Sequence, residues 1–455
     1  MKKELIFCVV FMLALIGTAG CGKSSSTGKG NGQLTGVSER PKWDHINPFG
    51  MVYIHSGTFH SGPSDQDINN ALIQRSQSKS IQGFYMDETE ITNNEYRQFV
   101  YYVRDSIAHK KLGHVKPTED GSGEIIDWSY ELDWSPTAIS GGGGGGGAEG
   151  AAPAEGGDGG GEGATASGGS LADMFYQGDD EFWGKKELDV RQLIYEREWY
   201  DWKSAAQKVN RDNNARGSYI KSEKVSIYPD TLVWVHDFSY SYNEPMTRNY
   251  FWHPAFDDYP VVGVNWNQAN AFCAWRSKLW NDYKMENKET MGEEFRLPFE
   301  DEWEYAARGG LENAPYPWGG PYLRNSQGCL LANFKPGRGN YPEDGGFYTV
   351  RADSYHPNGF GLYNMAGNVA EWTSTAFYEN ANSFSHDMNS DIRYDVKAED
   401  NETMRRKVIR GGSWKDIAYY LQTGTRNWEY QDTAKSYIGF RTALTFLGRS
   451  RDDKY

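Results

Sequence analysis

The chain has 455 residues, of which 15% are aromatic, and a formal net charge of −15. This length suits two or three average domains, and the 16 Trp and 30 Tyr residues are ample for a large core. The excess of acidic side chains argues against nucleic acid as a partner and favours a soluble surface.

The first 21 residues have the pattern of a bacterial lipoprotein signal. Lys2 and Lys3 precede the apolar run Leu5–Ile16, and small residues then lead to Cys21. The run is too short to span a bilayer as a permanent helix, so it indicates a secretory signal. A cysteine directly after small residues resembles the lipobox, whose thiol is acylated. We predict a signal peptide at residues 1–20 and lipid on Cys21; the alternative is an ordinary signal with a coincidental cysteine.

Residues 21–47 are predicted to form the lipid anchor and a flexible tether, because their first part is rich in Gly, Ser and Lys. One acyl chain binds a membrane marginally, whereas two or more hold it firmly, so a triacylated Cys21 would be a lasting anchor. Outside the signal and the anchor, only Cys273 and Cys329 remain. They could pair in an oxidising compartment, but two cysteines do not make a disulfide framework.

The folded sequence begins with two predicted strands and a helix. Met51–His55 alternates apolar and polar residues, and Phe84–Ile91 is the second predicted strand. Thr92–Glu95 matches a capping box, which predicts a helix that carries Tyr96 and Phe99.

A glycine-rich tract then interrupts the sequence. Residues 141–170 begin with seven consecutive glycines and are predicted to form a disordered loop, because they cannot bury enough apolar surface to offset their ordering entropy. The following residues 171–250 are rich in Trp, Tyr and charge, and Asp230–Val235 is predicted as a strand. A helix is predicted from about Asn267, with Phe272, Cys273 and Arg276 near one face.

Five motifs follow one another in the second half of the chain. They are RLPFEDEWEYAARGG at 296–310, YPWG at 316–319, GFGLYNMAGNVAEW at 359–372, RGGSW at 410–414 and GFR at 439–441. In this order they resemble the formylglycine-generating-enzyme (sulfatase-modifying factor) family, and the resemblance covers roughly residues 48–448. It implies an irregular, loop-rich α+β fold related to C-type lectins, here with a large insertion at about 115–250.

The enzyme's reaction needs two thiolates, placed after the GGS loop, that bind a copper ion and activate oxygen, and soft sulfur ligands suit that ion. Counted from Gly411–Ser413, the two positions fall on Asp416 and Leu421. Leucine has no ligand atom and aspartate is a hard oxygen ligand, so we predict a pseudoenzyme. The carboxylates within Glu300–Glu304 could suit acid–base chemistry, but their place in the motif favours a structural role.

The resemblance also implies two possible calcium sites, because calcium takes six to eight oxygen ligands that a loop-rich domain can supply. The alternative is that the asparagines brace tight turns without metal. The first set is Asn364 and Glu371 with the carbonyls of Gly367 and Val369; the second is Asn333 and Asp344 with the carbonyls of Phe334 and Gly346.

A narrower resemblance is to lipoproteins of the gliding-motility and type IX secretion machinery. It rests on the segments Asp87–Val100, Tyr242–Met246, Phe251–Pro254, Gln422–Arg426 and Glu429–Asp432. It implies a non-catalytic protein, lipid-anchored on the periplasmic face of the outer membrane. There it would form a ring with a GldN (PorN)-like periplasmic partner, and contact with trans-envelope motor components is a further expectation. The alternatives are a related gliding lipoprotein, a calcium-dependent glycan-binding module, or a divergent enzyme on this fold.

The aromatic insert is the predicted partner interface, because aromatic residues and arginine dominate interface hot spots. The alternative is that the insert pads the core locally. The predicted anchors are Trp183, Trp199, Trp202, Trp234 and Tyr240, interleaved with Arg191, Arg197 and Lys203.

Overall fold

The computed structural model describes residues 46–63, 76–118, 124–134, 170–211, 215–240, 242–337, 339–396 and 399–448. The predicted signal peptide, Cys21, most of the tether and the glycine-rich loop up to Gly169 lie outside these ranges. No helix within the described ranges is long and apolar enough to cross a membrane. The chain separates into two compact units, and all features below belong to the larger one, residues 47–283 with 292–448, apart from the last turn of one long helix.

Short strands and a few helices are joined by long loops, as the α+β expectation required. The helices are α1 (Asn93–Lys111), α2 (Trp202–Ala205), α3 (Val233–Asp237), α4 (Glu244–Asn249), α5 (Trp266–Glu286) and α6 (Glu300–Arg308). The strands are β1 (Met51–Ile54), β2 (Gly57–Ser61), β3 (Gln77–Ile81), β4 (Phe84–Asp87), β5 (Val115–Pro117), β6 (Glu124–Ile126), β7 (Ile194–Tyr200), β8 (Ile220–Ser226), β9 (Phe295–Arg296), β10 (Ala370–Ala376), β11 (Arg406–Arg410), β12 (Asn427–Tyr430), β13 (Ile438–Gly439) and β14 (Ala443–Thr445).

Two four-stranded sheets form the centre of the domain. The first has the order β1-β4-β14-β9 and is antiparallel throughout. The second has the order β12-β11-β10-β13, in which only the β10–β13 pair is parallel. The first sheet therefore joins the start of the domain to its last strand. Three two-stranded ribbons, β2–β3, β5–β6 and β7–β8, complete the described sheets.

The predicted capping box at the start of α1 is confirmed. The Thr92 hydroxyl accepts a hydrogen bond from the Glu95 N–H at 3.3 Å, and the Glu95 carboxylate accepts one from the Thr92 N–H at 2.8 Å. The helix then buries Tyr96 and Phe99 against α5, where Tyr96 stacks on Phe272 with a centroid distance of 5.6 Å. This aromatic contact is part of the largest apolar core.

The predicted helix near Asn267 is also confirmed, and it begins at Trp266 as α5. Phe272 and Cys273 are buried, while Arg276 extends to the end of β4 and donates to the Asp87 carboxylate at 2.8 Å. The helix is thereby fixed to the first sheet by packing and by a half-buried ion pair.

Two local predictions were wrong. Asp230–Val235 is not a strand: the Asp230 carboxylate caps a turn by accepting from the Leu232 N–H at 2.9 Å, and α3 follows. The strand predicted over Phe84–Ile91 ends at Asp87, whose carboxylate accepts hydrogen bonds from Arg276 and from the Thr442 N–H. The sequence left the pairing of Cys273 and Cys329 open; in the structure both are free, the first buried and the second exposed.

Candidate functional site

Helix α6, from the longest of the five motifs, is buried along its whole length. Its N-terminus lies under β10, where the Glu300 N–H donates to the Thr375 hydroxyl at 3.0 Å. Glu302 turns back to accept two hydrogen bonds of 2.7 Å from Arg296 and one from the Phe299 N–H. The helix is thus locked to the strand that precedes it.

The carboxylates of α6 belong to a buried network of ion pairs. Glu300 accepts from Arg426 at 2.8 Å and forms an ion pair with Arg410 at 2.9 Å. Glu304 accepts from Arg410 at 2.8 Å and from Arg308 at 2.6 Å. Burial alone would raise the pKa of Glu300, but Arg426 and Arg410 outweigh it and hold the pKa below its ordinary value. Such carboxylates are structural, since each is committed to guanidinium groups.

Asp301 differs from its neighbours because it is paired with a lysine. The Lys79 ammonium lies 2.8 Å from both carboxylate oxygens, and both side chains are buried. Burial nevertheless raises the pKa of Asp301 to about 6, because one lysine does not offset the lost hydration and the repulsion from Glu300.

The GGS loop, after which the resemblance to the formylglycine-generating enzyme places two thiols, follows β11. Gly411 and Gly412 both have positive φ, at 90° and 67°, and a Cβ on Gly412 would lie 2.8 Å from the Tyr420 carbonyl oxygen. Only glycine fits here without strain. The loop places Ser413 in the interior, where its hydroxyl donates to the Asp416 carboxylate at 2.6 Å.

The two positions to which the motif resemblance assigns thiols are occupied by Asp416 and Leu421. Burial raises the pKa of Asp416, and its hydrogen bond from Ser413 only partly opposes this. Leu421 is fully buried in a cluster with Tyr316, Ala332 and Phe334. Leu421 therefore contributes hydrocarbon to the core, and Asp416 is engaged by the Ser413 hydroxyl.

The first predicted calcium set does not fit a calcium ion in this arrangement. Both oxygens of Glu371 are taken by the guanidinium of Arg441, at 2.6 and 2.7 Å, and the Trp303 indole N–H donates to one of them at 2.7 Å. Both side chains of the ion pair are almost fully buried. The side-chain oxygen of Asn364 is buried without a hydrogen-bond partner among the described residues. A calcium ion bound through Glu371 would have to displace the guanidinium.

The second predicted set lies directly against the first. The Asn368 N–H donates to the Asn333 carbonyl at 2.8 Å, and a Cβ on Gly367 would lie 2.3 Å from that same oxygen. Gly346 approaches Asn333 from the other side, since a Cβ there would lie 3.1 Å from its side-chain oxygen. The side chain of Asp344 is outside the described residues. Within the described residues, no group of three or more His, Cys, Asp or Glu is arranged to hold a metal ion.

The predicted interface residues do not lie in one environment. Trp183, Tyr240 and Trp202 are 82%, 79% and 72% exposed, and Trp199 is half-buried beneath the Arg197 guanidinium. Trp234 is 1% exposed and stacks on Trp414 of the RGGSW motif at 6.1 Å. Trp234 is therefore a core residue, and its place in the predicted interface was wrong because the insert contributes to the core as well as to the surface.

A buried polar cluster that the sequence reasoning missed joins the start of the domain to the GFGLYNMAGNVAEW motif. Glu90 is fully buried and accepts from the amides of Asn364 at 3.1 Å and Asn368 at 2.9 Å. Burial raises its pKa to about 8, although Arg441 opposes the shift. Asn364 and Asn368 both adopt positive φ, at 50° and 61°, which asparagine tolerates. The only signal of this cluster in the sequence was the position of Glu90, two residues before the capping Thr92.

The comparisons with known proteins agree with the motif resemblance. Over 192 residues the chain is 33% identical to the inactive C-alpha-formylglycine-generating enzyme 2 of Bos taurus, covering 41% of this chain and 50% of that protein. Over 196 residues it is 33% identical to the formylglycine-generating enzyme of Mus musculus, covering 42% and 45%. The chain thus spans about half the length of the curated relatives it matches, and one of these two is named as inactive. The solved structure of PvdO from Pseudomonas aeruginosa aligns with a TM-score of 0.44 and 17% identity over 87% of this chain and 94% of PvdO.

The family model for the sulfatase-modifying factor enzyme 1-like domain matches residues 38–446. This range is most of the chain, and it includes both sheets, the α6 network and the GGS loop. The chain therefore belongs to the sulfatase-modifying factor enzyme 1-like domain family.

Proposed function

We propose that this protein is a non-catalytic lipoprotein scaffold of the gliding-motility and type IX secretion machinery, of the GldK (PorK) type. Cys21 anchors it to the outer membrane, and the domain faces the periplasm. There it forms a ring of copies with a GldN (PorN)-like partner and contacts the trans-envelope motor components. The related lipoprotein GldJ is the nearest alternative identity.

The observation that carries the non-catalytic part is the state of the two thiol positions. Asp416 is bound by Ser413, and Leu421 is packed in the core. The enzyme's chemistry depends on a pair of thiolates, and neither side chain supplies one. The motif residues nearby instead form the buried ion pairs that hold the loops together.

The surface of the insert supports the scaffold part. Trp183 and Trp202 are both largely exposed, and tryptophan is enriched among the residues that dominate interface binding energy. An interface of biological size takes roughly 800 Å² from each partner, which an insert of this length can supply.

The proposal places calcium only at the second set, which is Asn333, Phe334, Asp344 and Gly346. The first set is left out because both carboxylate oxygens of Glu371 accept hydrogen bonds from Arg441.

The test is purification of the native protein from membranes in mild detergent, with identification of the proteins that co-elute. A GldN-like protein and self-assembled copies are expected. Double substitution of Trp183 and Trp202 by Ala is expected to abolish the assembly while the melting temperature is kept. Elution of a single unassociated protein would refute the scaffold function. Retention of the purified protein on a glycan array only when calcium is present would favour the glycan-binding alternative.

A further inference from the structure

The β7–β8 ribbon is anchored at one end and exposed at the other. At its base, Leu193, Val225 and Ile227 are buried in the main core, and Tyr195 packs against Phe99 at 5.3 Å. Further along, alternate residues of β7 and most residues of β8 are exposed. The two strands pair over seven residues each, from Ile194↔Ser226 to Tyr200↔Ile220.

Both outer edges of this ribbon are unpaired. In the described part of the chain, β7 and β8 pair only with each other. No other hydrogen bond to the backbone of residues 195–199 or 221–225 is present there. An edge strand offers a row of free N–H and C=O groups, to which another strand can pair.

The two edges carry opposite charges. The exposed charged residues of β7 are Glu196 and Glu198, whereas those of β8 are Lys221 and Lys224. Within the ribbon, Glu196 lies opposite Lys224 and Arg197 lies opposite Glu223, and the second pair forms an ion pair at 2.9 Å. Lysine on an edge strand usually prevents strand addition, but here the other edge is acidic, so only pairing of like edges is disfavoured.

We propose that the β7 edge of one copy pairs with the β8 edge of a second copy of this chain, which extends the ribbon from copy to copy. Like-edge pairing would place Glu against Glu or Lys against Lys, so the charges select the unlike pairing. When ribbons of the same orientation are stacked side by side, β7 of one copy lies next to β8 of the other. Because these two strands run in opposite directions, the new pair is antiparallel, like the pair within each ribbon. A head-to-tail contact is heterologous and generates a ring or an open filament rather than a closed dimer. This inference rests on the self-assembly part of the proposed function.

The experiment compares charge-reversed variants of the full chain, solubilised in detergent at low salt, by sedimentation velocity. The β7-edge variant is Glu196→Lys/Glu198→Lys, and the β8-edge variant is Lys221→Glu/Lys224→Glu. A matched control, Glu312→Lys/Glu402→Lys, changes the net charge as much as the β7-edge variant does, at exposed positions outside the ribbon. All four side chains of the edge variants are exposed, but Glu196 and Lys224 lie opposite each other, so each variant also brings like charges together within the ribbon. The melting temperatures of both edge variants are therefore expected to fall slightly and by similar amounts, and the mixture of the two variants separates pairing between copies from this local effect.

Each edge variant alone is expected to dissociate, with the apparent dissociation constant raised at least about tenfold, because attractive cross-strand pairs become repulsive. An equal mixture of the two edge variants should assemble again, since one carries two basic edges and the other two acidic edges. Assembly of either edge variant at wild-type strength, or a mixture that stays monomeric, overturns the ribbon pairing while the ring proposal stands. A wild-type protein that is monomeric at every concentration overturns both.

Discussion

Replacement of Arg441 by Met tests whether the buried ion pair with Glu371 is the structural centre of the domain. Arg441 and Glu371 are 0% and 1% exposed, and they share two hydrogen bonds of 2.6 and 2.7 Å. The same guanidinium also donates to the carbonyls of Tyr363 at 2.9 Å and Asp87 at 3.1 Å. The variant leaves a buried carboxylate without its countercharge and two carbonyls without a donor.

Removal of one partner of a buried pair costs about 3–5 kcal/mol, because the remaining charge is buried without compensation. We expect a loss of that size in the free energy of unfolding, measured by urea unfolding monitored through tryptophan fluorescence. The double variant Arg441→Met/Glu371→Gln should lose less than the sum of its two single variants, since it leaves no uncompensated charge.

The matched control is Arg248→Met, because Arg248 pairs with Glu244 at 2.6 Å while both side chains are about two-thirds exposed. An exposed pair contributes about 0–1 kcal/mol. The reasoning is refuted if Arg441→Met is no more destabilising than Arg248→Met, or if the two single losses at Arg441 and Glu371 simply add.

Four further predictions follow from the same features. Burial raises the pKa of Glu90 from 4.5 to about 8, so between these pH values the native state holds a proton that the unfolded chain has lost. The stability contributed by Glu90 should therefore fall as the pH rises from about 4.5 to 8. Glu90→Gln should flatten that part of the curve of unfolding free energy against pH, and an unchanged slope would contradict the assignment. The wild type should form no formylglycine on a sulfatase-motif peptide with copper, and neither should Asp416→Cys/Leu421→Cys, by mass spectrometry of the peptide; product from the wild type would disprove the pseudoenzyme. Replacing residues 141–169 by a ten-residue linker should leave the melting temperature nearly unchanged, because loop-closure entropy varies slowly with length, whereas an insoluble product would show that the tract is ordered or bound. If calcium binds the second set, chelation should lower the melting temperature of the wild type and leave that of Asn333→Ala unaffected; equal shifts would place the calcium elsewhere.

The parts of the fold that sequence reasoning predicted are those fixed by local chemistry. The capping box Thr92–Glu95 and the helix near Asn267 depend on neighbouring residues, so their patterns are visible in the sequence. Asp230–Val235 failed because an apolar run of that length suits a short buried helix as well as a strand, and the Asp230 turn decided between them.

The contacts of the candidate site could not be predicted from the sequence. The assignment of Asp416 and Leu421 to the thiol positions stays a prediction, and the structure adds that Ser413 donates to Asp416 and that Leu421 is buried. The engagement of Glu371 by Arg441 could not be predicted, because 70 residues separate the two in sequence and only the fold brings them together. For the same reason the burial of Trp234 against Trp414 was missed.

The position of β14 between β4 and β9 has a consequence for when the domain can complete its fold during synthesis. The first sheet lacks its central partner strand until the last residues of the domain arrive, and Arg441 comes just before that strand. Contacts of such large sequence separation form late and slowly, because the intervening chain must first be closed into a loop. Because a chain is synthesised from its N-terminus, this sheet stays incomplete until nearly the whole domain has been made. A chain that ends before β14 would lack the strand that joins β4 to β9.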